Sequence, residues 1–225
     1  MQKTYKALII GATGLCGKNC LYKLLKDPDY TEVKIWVRKT SGISHPKLTE
    51  KIIDFDNMES LEETDAEHVF CCLGTTIKKA GSQTSFYKID HGYVISAAKI
   101  AARSGAKKFL YISSIGANAQ SKNFYLRTKG KVEEDLKKVF PNGLFIFRPS
   151  MLMGPREEFR FGEKIGKAFM RTFGFIFIGR LKKYRGIEAS MVANAMILLA
   201  KSEKKGINII ESDKISEFNA IYDKH

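Results

Sequence analysis

Tyr125 and Lys129 stand four residues apart in YLRTK. On a helix that spacing puts both side chains on one face, a turn apart. An ammonium beside a phenol favours the phenolate, so such a pair can give and take a proton. Spacing alone does not select it, because Tyr22/Lys26 and Tyr30/Lys34 repeat the pattern. Position does. Tyr125 comes eleven residues after Ser114, which with Ser113 closes the apolar run KFLYISS. A serine hydroxyl there can hold a carbonyl or alcohol oxygen. Strand alternation sends the two serines to opposite sides, and Ser114 is preferred from its place relative to the strand end. Tyr22 falls on a helix that opens at a glycine turn, and Tyr30 on the approach to a strand. Neither easily reaches the same place.

The second constellation binds rather than reacts. The apolar run YKALII leads straight into GATGLCG, with Gly11, Gly14 and Gly17. A tight turn, a pyrophosphate approaching the backbone and a helix packed closely on a strand each favour a residue without a Cβ. The helix N-terminus then offers N–H groups and a positive dipole end to phosphates. Thr13, Leu15 and Cys16 complete the expected contact surface. About twenty residues on, an NAD-binding chain usually places a carboxylate for the ribose 2′-hydroxyl. Here VKIWVRKT puts Arg38 and Lys39 in that place. Cations suit a 2′-phosphate, so the expected cofactor is NADP(H). Asp54 and Phe55, after EKIID, are expected to meet the adenine. Leu73, Gly74 and Thr75, after HVFCC, are expected to meet a ribose.

These residues need a scaffold that gathers strand ends. The runs 5–10, 33–38, 50–54, 68–74, 108–114, 144–149 and 207–210 read as strands. Several are apolar without alternation, as strands buried on both faces are. Helical patterns lie between them, from Gly14 to about Lys26, over 84–104 (Ile89, Tyr93, Ala97, Ile100), over 123–139 (Val132, Leu136, Val139) and over 187–203. Alternating strands and helices predict an α/β fold with a doubly wound parallel sheet. Ligands of such sheets sit beyond the carboxyl ends of the strands.

The bulk numbers suit this. The chain has 225 residues, 44% hydrophobic and 28% charged, fitting one domain over 1–225. No run reaches the ~18 apolar residues of a membrane-spanning helix, and a cytoplasmic protein is the expectation. The net charge of +14 favours phosphate-bearing ligands. The basic residues are scattered as pairs, so no specific nucleic-acid partner is expected. Cys16, Cys20, Cys71 and Cys72 read as reduced cysteines, without a histidine at ligand spacing, and no metal site is expected.

The order GATGLCG, VRK, CCLGTT, KIDHGYVISAAKIAARSGAKKFLYISSIGA, YLRTK and FRPSMLMG resembles the short-chain dehydrogenase/reductase superfamily. It is most similar to the atypical branch around the oxidoreductase-like Tat-interactive protein and its bacterial relatives. The resemblance covers nearly the whole chain. It implies a Rossmann-like fold, NADP(H) and a Ser/Tyr/Lys site, with Ser114 holding the substrate oxygen, Tyr125 as acid/base and Lys129 on the nicotinamide ribose. Pro149 and Met151 would close over the nicotinamide. Residues 155–186 would form a short substrate-side extension covering the crevice. A homodimer is left open. Two features depart from the pattern. Asp90 stands near the place of an asparagine that supports a proton relay in many members, and the part after strand six is short. The first reading is therefore a reductase or dehydrogenase acting on a small carbonyl or hydroxyl compound. The alternatives are an NADP(H)-sensing, protein-binding module with little turnover, and an enzyme resembling sugar-nucleotide epimerases, which the short C-terminal part disfavours.

Overall fold

The computed structural model describes residues 3–61, 64–154 and 186–222. The strands in chain order are β1 (Tyr5–Ile10), β2 (Tyr30–Val37), β3 (Leu48–Ile52), β4 (His68–Cys71), β5 (Lys108–Ile112), β6 (Leu144–Arg148), β7 (Leu152–Met153), β8 (Ile187–Glu188) and β9 (Ile207–Glu211). Seven form one sheet in the order β3-β2-β1-β4-β5-β6-β9, and every pairing in it is parallel. The chain builds outward from β1 to β3, then returns to lay β4 on the other side of β1. A crevice opens where the order reverses, beyond the carboxyl ends of the strands.

The helices are α1 (Leu15–Lys26), the short α2 (Ile77–Ala80) and α3 (Gln83–Tyr87), α4 (Tyr93–Arg103), α5 (Phe124–Val139), α6 (Ala189–Lys201) and α7 (Ser212–Tyr222). They cover both faces of the sheet, because its strands are apolar on both. Ala7, Ile9, Val33, Ile35, Phe145 and Phe147 pack against α1 (Leu21, Leu24) and α6 (Val192, Met196). Leu8, Ile10, Val69, Tyr111 and Ile146 point the other way, against α4 (Val94, Ala97, Ala101) and α5 (Val132, Leu136). Each buried Leu, Ile or Phe contributes about 1.5–3 kcal/mol relative to exposure. These two cores hold the strand ends in fixed register.

One helix differs from its expected form. The span 84–104 is divided by a π-helical turn at Lys88–Gly92, between α3 and α4. Around that turn the buried residues are Phe86, Asp90 and Val94, not Ile89 and Tyr93, which are half-buried, whereas Ala97 and Ile100 of the expected stripe are buried. Four-residue steps outrun the 3.6-residue α period, and the wider π turn absorbs the surplus. The result aims Asp90 inward. The expected helix over 187–203 begins two residues later, since Ile187 and Glu188 pair as β8 with β7. The expected covering segment, apart from Gly186, lies outside the described residues.

Candidate active site

The glycine turn is shaped by close approach. Gly11 has φ +85°, and a Cβ there would lie 2.7 Å from the carbonyl carbon and oxygen of Cys72. A Cβ on Gly17 would lie 2.1 Å from the Gly11 carbonyl oxygen. The first turn of α1 therefore sits directly on the β1 exit and beside the end of β4. Gly14 caps α1 without a side-chain hydrogen bond, and its first turn holds no acid. Its positive end is left for an anion. Thr13 and Gly14 are exposed and Leu15 is half-buried, whereas the Cys16 side chain belongs to the core. Only the backbone of Cys16 can face the crevice.

The neighbouring strand ends bring the other residues to the same edge. Arg38 and Lys39 follow β2 directly and are exposed. Arg38 makes no ion pair among the described residues, and its charge reaches Tyr93. Partial burial and the adjoining Asp56 nevertheless push the Tyr93 phenol up to about 12. The Tyr93 hydroxyl donates to Asp56, which also pairs with Lys88 at 2.7 Å. Asp54 caps the 3-10 turn Phe55–Ser60, accepting from the Asp56 N–H at 3.0 Å and the Asn57 amide at 2.6 Å. The Phe55 ring is buried, 5.5 Å from that of Tyr93. Its ring is core, and Tyr93, which the sequence places in a buried stripe, lies half-buried beside it.

Past β4, Leu73 packs on the core and Gly74 is exposed. Ser113 and Ser114 follow β5. Ser113 is buried and donates to Glu133 Oε1 at 2.5 Å. Glu133 also accepts from Arg148 Nε at 3.0 Å and from its terminal nitrogen at 2.6 Å. The Ser113 hydroxyl is therefore committed to the scaffold. The Ser114 hydroxyl, half-buried, donates among the described residues to its neighbour's carbonyl, Ile115 O, at 3.3 Å. Tyr125 lies in the first turn of α5, half-buried, its ring 5.8 Å from Phe86. Pro149 follows β6 and accepts from the Ile115 N–H at 3.0 Å. The Met151 side chain is 61% exposed.

The electrostatic centre is Lys129. Its side chain is 4% exposed, and that of Asp90, 3.0 Å from its Nζ, is fully buried. Lys129 also donates to the Tyr111 hydroxyl at 3.1 Å. Burial by itself pulls this ammonium down. Tyr111, Asp90 and Tyr125 outweigh it and hold Lys129 well above the ordinary lysine value. Burial raises the Tyr111 phenol, and the Lys129 charge offsets this only in part. The Thr75 N–H donates to Asp90 Oδ2 at 2.8 Å. A Cβ on Gly74 would come within 3.7 Å of Asp90 Oδ1 and 3.9 Å of Lys129 Nζ. A side chain there would fill the space over the ammonium, so the absence of one leaves a cradle that suits a ribose. Tyr111 and the pairing of Asp90 with Lys129 carried no recognisable sequence signal, because apolar strands often contain tyrosine.

Comparison with known proteins agrees with this geometry. A family model described as NAD(P)H-binding matches residues 11–160. The chain is 32% identical over 166 residues to Protein HTATIP2 of Rattus norvegicus, covering 72% of this chain and 68% of the relative. It is 31% identical over 215 residues to Protein FMP52, mitochondrial, of Candida albicans, covering 92% and 91%. Among solved structures, the ADP-L-glycero-D-manno-heptose-6-epimerase of Helicobacter pylori superposes with a TM-score of 0.69 at 18% identity, covering all of this chain and 83% of the epimerase. That likeness is one of fold. The cytoplasmic expectation does not stand. The FMP52 relatives are named mitochondrial, which points away from a purely cytoplasmic protein. Composition and reduced cysteines suit any reducing aqueous compartment, so they carried no address. With a family model over two thirds of its length and relatives above 30% identity along most of it, the chain belongs to the NAD(P)H-binding family, in the atypical short-chain dehydrogenase/reductase branch with HTATIP2 and FMP52.

Proposed function

We propose that this protein is an NADP(H)-dependent oxidoreductase acting on a small carbonyl or hydroxyl compound, with Ser114, Tyr125 and Lys129 as its reacting groups. The carrying observation is the buried Lys129 ammonium beneath the uncovered Gly74, on the helix that presents Tyr125. A dinucleotide would be held by the glycine turn and the α1 N-terminus at its pyrophosphate, by Gly74, Thr75 and Lys129 at its ribose, and by Arg38 and Lys39 at its 2′-phosphate. Bound there, it supplies or accepts hydride. Ser114 would hold the substrate oxygen, and Tyr125 would pass a proton to or from that oxygen. Pro149 and Met151 would border the nicotinamide side, within one domain over 1–225.

Tyr125→Phe tests the chemistry. It should retain NADPH binding and lose NADPH consumption against a panel of small aldehydes and ketones by about a hundredfold or more. A Phe variant that turns over a true substrate normally would remove Tyr125 from the mechanism. The second reading, an NADP(H)-sensing module with little turnover, draws on the Asp90–Lys129 pair, which offsets the charge that would otherwise activate the phenol. A protein partner whose affinity differs between NADPH and NADP+ would favour it.

A further inference from the structure

Asp90 is fully buried, yet no apolar packing need explains a carboxylate at that place. It reaches the site because the π turn Lys88–Gly92 aims it inward. Oδ2 accepts from the Thr75 N–H at 2.8 Å. Oδ1 lies 3.0 Å from Lys129 Nζ as a charge pair, without an aligned hydrogen bond among the described residues. It thus joins the two groups, Lys129 and the Gly74–Thr75 loop, that a ribose would meet from above.

We infer that Asp90 is a positioning residue: its carboxylate clamps the Lys129 ammonium against the Gly74–Thr75 loop and offsets its charge before any ligand arrives. This rests on the reading of Lys129 as the ribose ligand. The titratable groups facing Lys129 are Tyr111 from β5, Cys71 from β4, Tyr125 from its own helix and Asp90 from the π turn. Burial pushes the Cys71 thiol up to about 12 and also raises the Tyr111 phenol. Neither offers a negative charge near neutrality. The carboxylate is therefore the partner that lets an ammonium stay buried here. An amide of the same shape would keep the Thr75 bond and abandon the ammonium.

The test uses Asp90→Asn, Lys129→Met and the double variant of the full chain, with lysine side chains labelled for NMR and the Lys129 signal assigned by its loss in Lys129→Met. In the wild type, Lys129 should titrate above the ordinary lysine value of 10.5. In Asp90→Asn it should titrate lower than in the wild type, since burial is then opposed by the phenols of Tyr111 and Tyr125 without the carboxylate. NADPH affinity should fall about tenfold in Asp90→Asn, the scale of one charge-assisted contact. It should fall no further when Asp90→Asn is added to Lys129→Met. An unmoved Lys129 titration, or fully additive losses of affinity, would overturn the inference. If Asp90→Asn alone does not fold but the double variant does, the stranded ammonium is the fault and the pairing stands. If neither folds, Asp90 serves the fold independently of Lys129 and the inference fails. Equal NADPH affinity of wild type and Lys129→Met would instead defeat the ribose-ligand reading, while the Lys129 titration would still report the clamp.

Discussion

Gly17 sits where any side chain would collide with backbone, 2.1 Å from the Gly11 carbonyl oxygen. Backbone cannot swing aside as a long side chain can, so α1 must lift off β1 to admit a methyl group. Gly17→Ala should therefore cost about 1–3 kcal/mol of stability, and a greater share of NADPH affinity, because the lifted helix end carries the phosphate-facing N–H groups. Thermal melts and titration on the same sample check both, and a variant with native affinity would contradict the packing described. This turn was legible in the sequence, since glycine after a strand and before a helix has few other uses. Asp90 was legible only as an oddity. Its residue type could be read, but its partner lies thirty-nine positions away on another helix.

The helix α5 carries a row of polar groups along its buried side, with Tyr125, Lys129 and Glu133 at successive four-residue steps. The first two are the proposed reacting groups, and the third anchors the helix. Glu133 is 2% exposed and binds Ser113 after β5 and Arg148 at the end of β6, while Arg148 also reaches Glu211 of β9 at 3.0 Å. These bonds hold the guanidinium well above its ordinary value. Glu133→Ala would leave the partly buried guanidinium with Glu211 alone and strand a buried hydroxyl. It should destabilise the protein by about 3 kcal/mol, shown by a lower urea midpoint with an unchanged slope. A loss below about 0.5 kcal/mol would mean that Arg148 finds water instead. The apolar stripe of α5 was readable from Val132 and Leu136. The inward face was misread by one position at Ile89 and Tyr93, because the π turn breaks the period on which such reading depends, while Ala97 and Ile100 beyond it are buried as expected.

Across the whole molecule, the proposed site lies at the carboxyl edge of the sheet, and the amino edge carries a separate source of pH dependence. His68 opens β4, buried, 2.8 Å from the Tyr30 hydroxyl. Burial first, then the surrounding lysines, depress it from 6.5 to about 3. The unfolded chain binds this proton between those values and the folded chain does not. The contribution is therefore full above pH 6.5 and lost as pH falls toward 3, at up to ~1.4 kcal/mol per pH unit. Urea midpoints between pH 4 and 7 should drop on acidification, and less steeply in His68→Asn; equal slopes would contradict this burial effect. The sheet itself was the most legible feature, because parallel strands buried on both faces write themselves as apolar runs. The compartment was not, since composition does not encode an address. Strand ends ordered this way are proposed to bind NADP(H), with Arg38 reading the 2′-phosphate. Calorimetric titration with NADPH and with NADH, repeated on Arg38→Ala, tests it most directly. NADPH should bind tighter by about tenfold or more, collapsing toward the NADH value in the variant. Equal affinity for the two cofactors in the wild type would contradict it.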